Sequence, residues 1–151
     1  MSTAPSGGLR AVLDTNVYIS AFTHPRGQTA LVWQAARDRR YQLLVSPALV
    51  REIAAVLRER FAWRGTEVAD RVKLVVRVAE ILTPTLALDV IEDDPPDNRV
   101  LECAVEGGAD LIVSGDRHLR GLKQYQGIPI VRPTDFLRTL GVAVKTPRRR
   151  V

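Results

Sequence analysis

Short apolar runs alternate with amphipathic helical stretches along almost the whole chain, and few folds accommodate that order. Leu9 to Leu13 predicts a strand ending at Asp14-Thr15-Asn16, three polar side chains where a strand hands over to a helix. The helix continues over Val17 to Phe22, His24-Pro25-Arg26-Gly27 breaks it, and Thr29 to Arg39 carries Leu31, Val32, Ala35 and Ala36 at helical spacing. Gln42 to Val45 predicts a second strand. Ser46-Pro47 then starts a helix to about Arg60, because serine can cap free amides and proline suits the first turn. Glu52 stands at the edge of that helix's apolar stripe of Leu49, Ile53, Val56 and Leu57.

The second half repeats the alternation. Val68, Val72, Val75, Val76 and Ala79 predict an amphipathic helix ended by Thr83-Pro84, and Leu86 to Val90 follows as an extended segment. Asp94-Pro95-Pro96-Asp97 opens a helix with Val100, Leu101, Ala104 and Val105 inward, stopped at Gly107-Gly108. Leu111-Ile112-Val113 is a buried strand delivering Ser114-Gly115-Asp116, Ile128 to Val131 is a last strand, and Pro133-Thr134-Asp135 starts a closing helix to Leu140. Strands separated by helices call for an α/β fold with a central parallel sheet and helices on both faces, since the crossovers must pack back with one handedness. Ligands bind such sheets beyond the C-terminal strand ends, and Asp14 and Asp116 fall there.

With 151 residues, 46% of them apolar, one compact domain is expected: a polar lead over residues 1–8, a domain over 9–140 and a basic tail over 141–151. No apolar run approaches the roughly eighteen residues that cross a bilayer, and the lead has no basic start before an apolar stretch, so a cytoplasmic protein without membrane association is expected. The lone Cys103 reads as a small core residue. The formal charge of +5 shrinks once it is partitioned. Lys145, Arg148, Arg149 and Arg150 supply four of the 22 basic residues, leaving 18 against 17 acidic ones, a balance of +1. The tail's arginines are candidate phosphate contacts, but a short charged terminus is more often only solvated.

The chemistry lies in the carboxylates. Asp14 and Asp116 at strand ends, with Glu52 and Asp97 on helices covering the same edge, would gather four negative charges that repel and raise one another's pKa. A cation stabilises such a cluster, and hard oxygen ligands without His or Cys suit Mg²⁺ or Mn²⁺. Metal-assisted attack on a phosphodiester follows naturally. Each acid also has a plainer reading. Asp14 and Asp116 fit turns, Glu52 fits a solvated edge, and Asp94 and Asp97 fit a cap and a first-turn acid. Asp94 reads first as the cap, and Asp97 as a site residue because its inward side is apolar.

The order of these signals is more telling than any one of them. Val12-Leu13-Asp14-Thr15-Asn16-Val17, Ser46-Pro47 followed by Glu52, Asp94-Pro95-Pro96-Asp97-Asn98-Arg99-Val100-Leu101-Glu102-Cys103-Ala104, and Gly108-Ala109-Asp110-Leu111-Ile112-Val113-Ser114-Gly115-Asp116-Arg117-His118-Leu119 together resemble the PIN-domain nucleases. The likeness runs over roughly residues 9 to 140 and is strongest to the VapC-like branch, the toxin components of toxin-antitoxin systems. It implies a three-layer α/β/α fold and metal-dependent endoribonuclease activity on single-stranded RNA. Asp14, Glu52, Asp97 and Asp116 would hold Mg²⁺ or Mn²⁺. Asn16 and Ser114 match polar positions that orient the acids, and Asp94 would brace them from outside. A neutralising antitoxin partner and a homodimer are further implications of the resemblance.

Other residues fit the reading less directly. Arg117 and Arg120 next to Asp116 are candidate phosphate contacts. His24 and His118 read as solvated, and Trp33, in an apolar stretch, as core, while Trp63 and Tyr41 are possible base-stacking residues. Two alternatives stand beside the nuclease. One is a PIN-like module that binds RNA or protein without cutting, against which the intact acidic quartet argues. The other is an Asp-dependent phosphotransfer or phosphatase domain; Asn16 where a second acid would stand, and the lack of a well-placed lysine, weigh against it.

Overall fold

The computed structural model describes residues 8–88, 90–91 and 97–143, so Asp94, Arg148, Arg149, Arg150 and nearly all of the lead and tail lie outside the described residues. Within them the predicted alternation is present. The elements are β1 (Arg10–Leu13), α1 (Thr15–Thr23), α2 (Gln28–Arg37), β2 (Gln42–Val45), α3 (Pro47–Phe61), α4 (Gly65–Val78) and β3 (Glu80–Ile81), then α5 (Asp97–Glu106), β4 (Leu111–Val113), α6 (Arg117–Gly121), β5 (Gln124–Tyr125), β6 (Ile128–Val131) and α7 (Pro133–Leu140). The strands form one sheet in the order β3-β2-β1-β4-β6-β5, parallel except for the β5–β6 pair, in a three-layer α/β/α architecture.

β1 lies in the middle because it can be buried on both faces: Ala11, Val12 and Leu13 are fully enclosed. Its register pairs Leu13 with Val113 of β4 and Val12 with Leu44 of β2. α5 packs across β1, β2 and β4, while α3 packs on α1 and α5, and α2 on α1 and α7. Ser46 caps α3 as expected, its hydroxyl accepting the Leu49 amide at 3.3 Å ahead of Pro47. Gly107 closes α5 where a Cβ would stand only 2.9 Å from the Cys103 backbone carbonyl oxygen, and Gly108 takes the left-handed turn with φ +62°. Cys103 and Trp33 are core residues, Trp33 meeting Phe22 edge-on at 5.3 Å. Tyr41 is buried against Phe136 and donates to the Val32 carbonyl at 2.9 Å, so it is not a base-stacking platform.

Three local expectations change. The fourth helix stops at Val78, short of Thr83-Pro84, and Glu80–Ile81 pairs with β2 as an edge strand too short to show a period. Val76, read as inward, is 44% exposed, since the helix leans on its neighbours through Val68 and Val75. Leu86 to Val90 forms no strand among its described residues; α5 pins this stretch from its side. Asn98 Oδ1 accepts the amides of Val90 and Ile91 at 2.8 and 2.9 Å, Glu102 Oε2 accepts that of Leu88 at 2.7 Å, and Glu106 Oε1 that of Thr85 at 3.0 Å.

Candidate functional site

One step beyond the Leu13–Val113 pair, Asp14 and Ser114 stand side by side at the C-terminal ends of the two central strands. The ladder reaches into the site: the Asp14 amide donates to Val113 O and the Ser114 amide to Val131 O, each at 2.9 Å. These bonds fix both side chains. The Ser114 hydroxyl donates to Asp14 Oδ2 at 2.9 Å and accepts the Asp116 amide at 2.9 Å, so one serine sets the positions of two acids. Asp116 in turn begins α6, its carboxylate accepting the His118 amide at 2.7 Å. Asp97, the first residue of α5, is buried at the same edge.

Asp14, Asp97 and Asp116 each place a carboxylate oxygen within 4.8 Å of the others. Burial pushes the Asp14 carboxyl up from 3.8 to about 6; the Ser114 hydrogen bond opposes this, the Asp116 charge adds to it, and the amides of Thr15 and Asn16 oppose it again. Three hard oxygen donors in so small a space, one of them made reluctant to ionise first by burial and then by its neighbour's charge, fit a divalent cation of the Mg²⁺ or Mn²⁺ type.

The other sequence candidates divide. Glu52 is half-buried on the second turn of α3, outside the close trio. Asn16 is exposed on the first turn of α1, where with Asp116 and Arg117 it lines a cleft of about 540 Å³. Arg120 lines an adjoining cleft. His24 is exposed and its Nδ1 meets the Thr23 hydroxyl at 3.0 Å. Sequence reading missed Ser20, Thr29, Arg132 and Thr134, which line these clefts. Arg132 was within reach, because it follows β6 at the same sheet edge that singled out Asp14 and Asp116.

The family model for the PIN domain matches residues 10–118, most of the chain. The chain belongs to the PIN-domain family. PIN domains are generally nucleases, and the three gathered aspartates lie within the matched span. A relative of this PIN chain is the "Uncharacterized protein MJ1680" of Methanocaldococcus jannaschii, 24% identical over 119 residues and 76% of each chain. Among solved structures, PAE2754 of Pyrobaculum aerophilum superposes with a TM-score of 0.58 at 17% identity, covering 92% of this chain and 93% of that one. VapBC2 of Rickettsia felis, solved bound to a DNA fragment from its promoter, gives 0.56 at 10% identity over 82% of this chain and 98% of that one. At these identities the structures establish the shared PIN fold.

Proposed function

We propose that the protein is a Mg²⁺- or Mn²⁺-dependent endoribonuclease that cuts single-stranded RNA in the cytoplasm, acting as the toxin of a toxin-antitoxin pair. The observation that carries the reading is the convergence of Asp14, Asp97 and Asp116 at the C-terminal edge of a PIN sheet. These three would hold the cation, with Glu52, on a helix that packs against both α1 and α5, completing its surroundings. When bound, such a cation supplies charge neutralisation at the phosphate and activation of a water. The chain's own residues then do the positioning. Ser114 holds Asp14 and the Asp116 backbone in place, the buried Asp14 and Asp97 with the half-buried Asp116 fix where the phosphate stands, and Arg117 at the cleft faces the strand. The shared fold with VapBC2 is what supports an antitoxin partner, and a homodimer is part of the same reading. No helix among the described residues is long and apolar enough to cross a membrane.

The test is cleavage of a mixed single-stranded RNA pool with magnesium, with manganese and with a chelator. Wild type should cut only with metal, and Asp14→Asn should lose cutting by more than about a hundredfold, beyond what loss of an outer supporting residue costs. Glu52→Gln should fall in between. Undiminished cutting by folded Asp14→Asn would sink the assignment. Binding of RNA without any cutting would favour the non-cleaving module, against which the gathered acids argue.

A further inference from the structure

The cleft that holds Asp116 opens directly into a second one of about 510 Å³, the two sharing Ser20, Thr29, Gly115 and Pro133 as a common wall. Their charges differ: the first sets the Asp116 carboxylate against the Arg117 guanidinium. The second cleft is lined by Arg120 and Arg132, and no carboxylate lines it among the described residues.

Two helices also begin at this cleft. α2 starts after Gly27 and α7 after Arg132, and among the described residues neither start has a side-chain cap hydrogen bond from its N-cap residue. The first amides of a helix have no carbonyl of their own helix to bond, and together they carry partial positive charge. The two starts are tied to each other, the Thr134 hydroxyl donating to Gln28 Oε1, and the helices pack along one another. The arginines complement them. Arg120 is placed one turn after Asp116 by its amide, which donates to the Asp116 carbonyl at 2.9 Å, and its Nε is buried with no hydrogen-bond partner among the described residues. Arg132 meets Asp135 only through an exposed contact of 3.5 Å, of a kind that contributes little and yields readily to a stronger anion.

We propose that this cleft is a phosphate-binding site, held by Arg120, Arg132 and the starts of α2 and α7, which grips the RNA strand at a phosphate beside the one presented to Asp14, Asp97 and Asp116. The proposal rests on the nuclease reading for its substrate, though not for its measurement. The chemistry is that of a phosphate oxygen set between guanidinium groups and backbone amides, and both an internal phosphodiester and a 5′-terminal phosphate offer it.

The experiment measures binding of a short fluorescein-labelled unstructured RNA to the full chain in chelator, where nothing is cut, across a salt series. Two RNAs are used, one with a 5′-phosphate and one with a 5′-hydroxyl. Arg120→Gln/Arg132→Gln should bind about tenfold more weakly, and its log-log salt slope should be shallower by about 0.7 for each phosphate that the protein no longer neutralises. Arg77→Gln, which removes as much charge as Arg132→Gln alone but at an exposed position on α4, should match wild type. An equal deficit on both RNAs assigns the site to an internal phosphodiester, and a larger one on the 5′-phosphorylated RNA to the terminal phosphate. Wild-type affinity and slope in the double variant, or an equal deficit in Arg77→Gln, would overturn the site. Should the double variant melt early, Arg132→Gln alone carries the test with about half the change in slope. If the arginines prove to matter yet the protein never cuts, the nuclease reading fails and the cleft stands. If the protein cuts and the arginines prove silent, only the cleft fails.

Discussion

The two ends of β1 handle charge in opposite ways. At its start, Arg10 reaches both carboxylate oxygens of Glu80 at 3.1 Å and the Gly107 carbonyl at 2.9 and 3.2 Å, while its amide donates to Asp110 Oδ2 at 2.8 Å. Every charge there is answered from within the chain. Just past the other end, Asp14 is buried within reach of two more carboxylates, and the group that eases its ionisation most is a neutral serine. Charge that serves the fold is neutralised by the fold. On the proposed reading, charge gathered for chemistry is left for a bound ion, and the metal-free protein carries the cost.

That cost is the sharpest way to test the contrast. The Asp14 carboxyl titrates near 6 in the folded chain against 3.8 for an unperturbed aspartate, so the folded state holds this proton more tightly than the unfolded one. The stability tied to the proton is complete below about pH 4 and is lost as pH rises through 6. At ~1.4 kcal/mol for each pH unit, ionised Asp14 costs about 3 kcal/mol by pH 8. In chelator, Asp14→Asn should therefore melt roughly 6 to 12 °C above wild type at pH 8 and level with it near pH 4. Added Mg²⁺ or Mn²⁺ should close the gap by raising only wild type. Parallel melting curves across that pH range would show that the acid end is no less settled than the other.

Ser114→Ala gives the next largest effect. Its loss removes the hydrogen bond that most favours the Asp14 carboxylate and the acceptor for the Asp116 amide. Metal-dependent cleavage should fall by ten- to a hundredfold, and the pH at which metal binding is half complete should move upward, because Asp14 then ionises later. A manganese titration at several pH values reads this directly. A drop in cleavage at unchanged pH dependence would mean that Ser114 acts through the Asp116 backbone alone.

The same contrast explains what the sequence made legible. Asp14 and Asp116 could be read from one chain because each follows an apolar strand, and parallel sheets bring strand ends together. Asp97 was legible through its stacking one turn before Leu101. Ser114 pointed to its role only through the family likeness, since nothing in a serine's sequence context says which carboxylate it will face. Arg132 stood at a strand end like the acids, yet an arginine there has an easy solvent-exposed explanation. The Arg10–Glu80–Gly107 clamp joins residues far apart in sequence, at positions with no period to reveal them. β3 and β5 are two residues each, and they exist because a neighbouring strand offers a ladder, not because their own side chains alternate.

The quiet end of β1 supplies the smallest effects. Arg10→Ala leaves the Gly107 carbonyl and Glu80 without their donors and should lower stability by about 1 to 2 kcal/mol. Glu80→Gln should cost less than about 1 kcal/mol, since Glu80 is 43% exposed and such ion pairs contribute little. Both should cut RNA like wild type at temperatures where they are folded, because the clamp lies at the opposite end of the strand from Asp14. Thermal melts beside cleavage assays separate the two readouts. If Arg10→Ala slowed cutting while its melt stayed high, the carboxylates would be taking their positions from the far end of β1, and the division between structural and chemical charge along that strand would not hold.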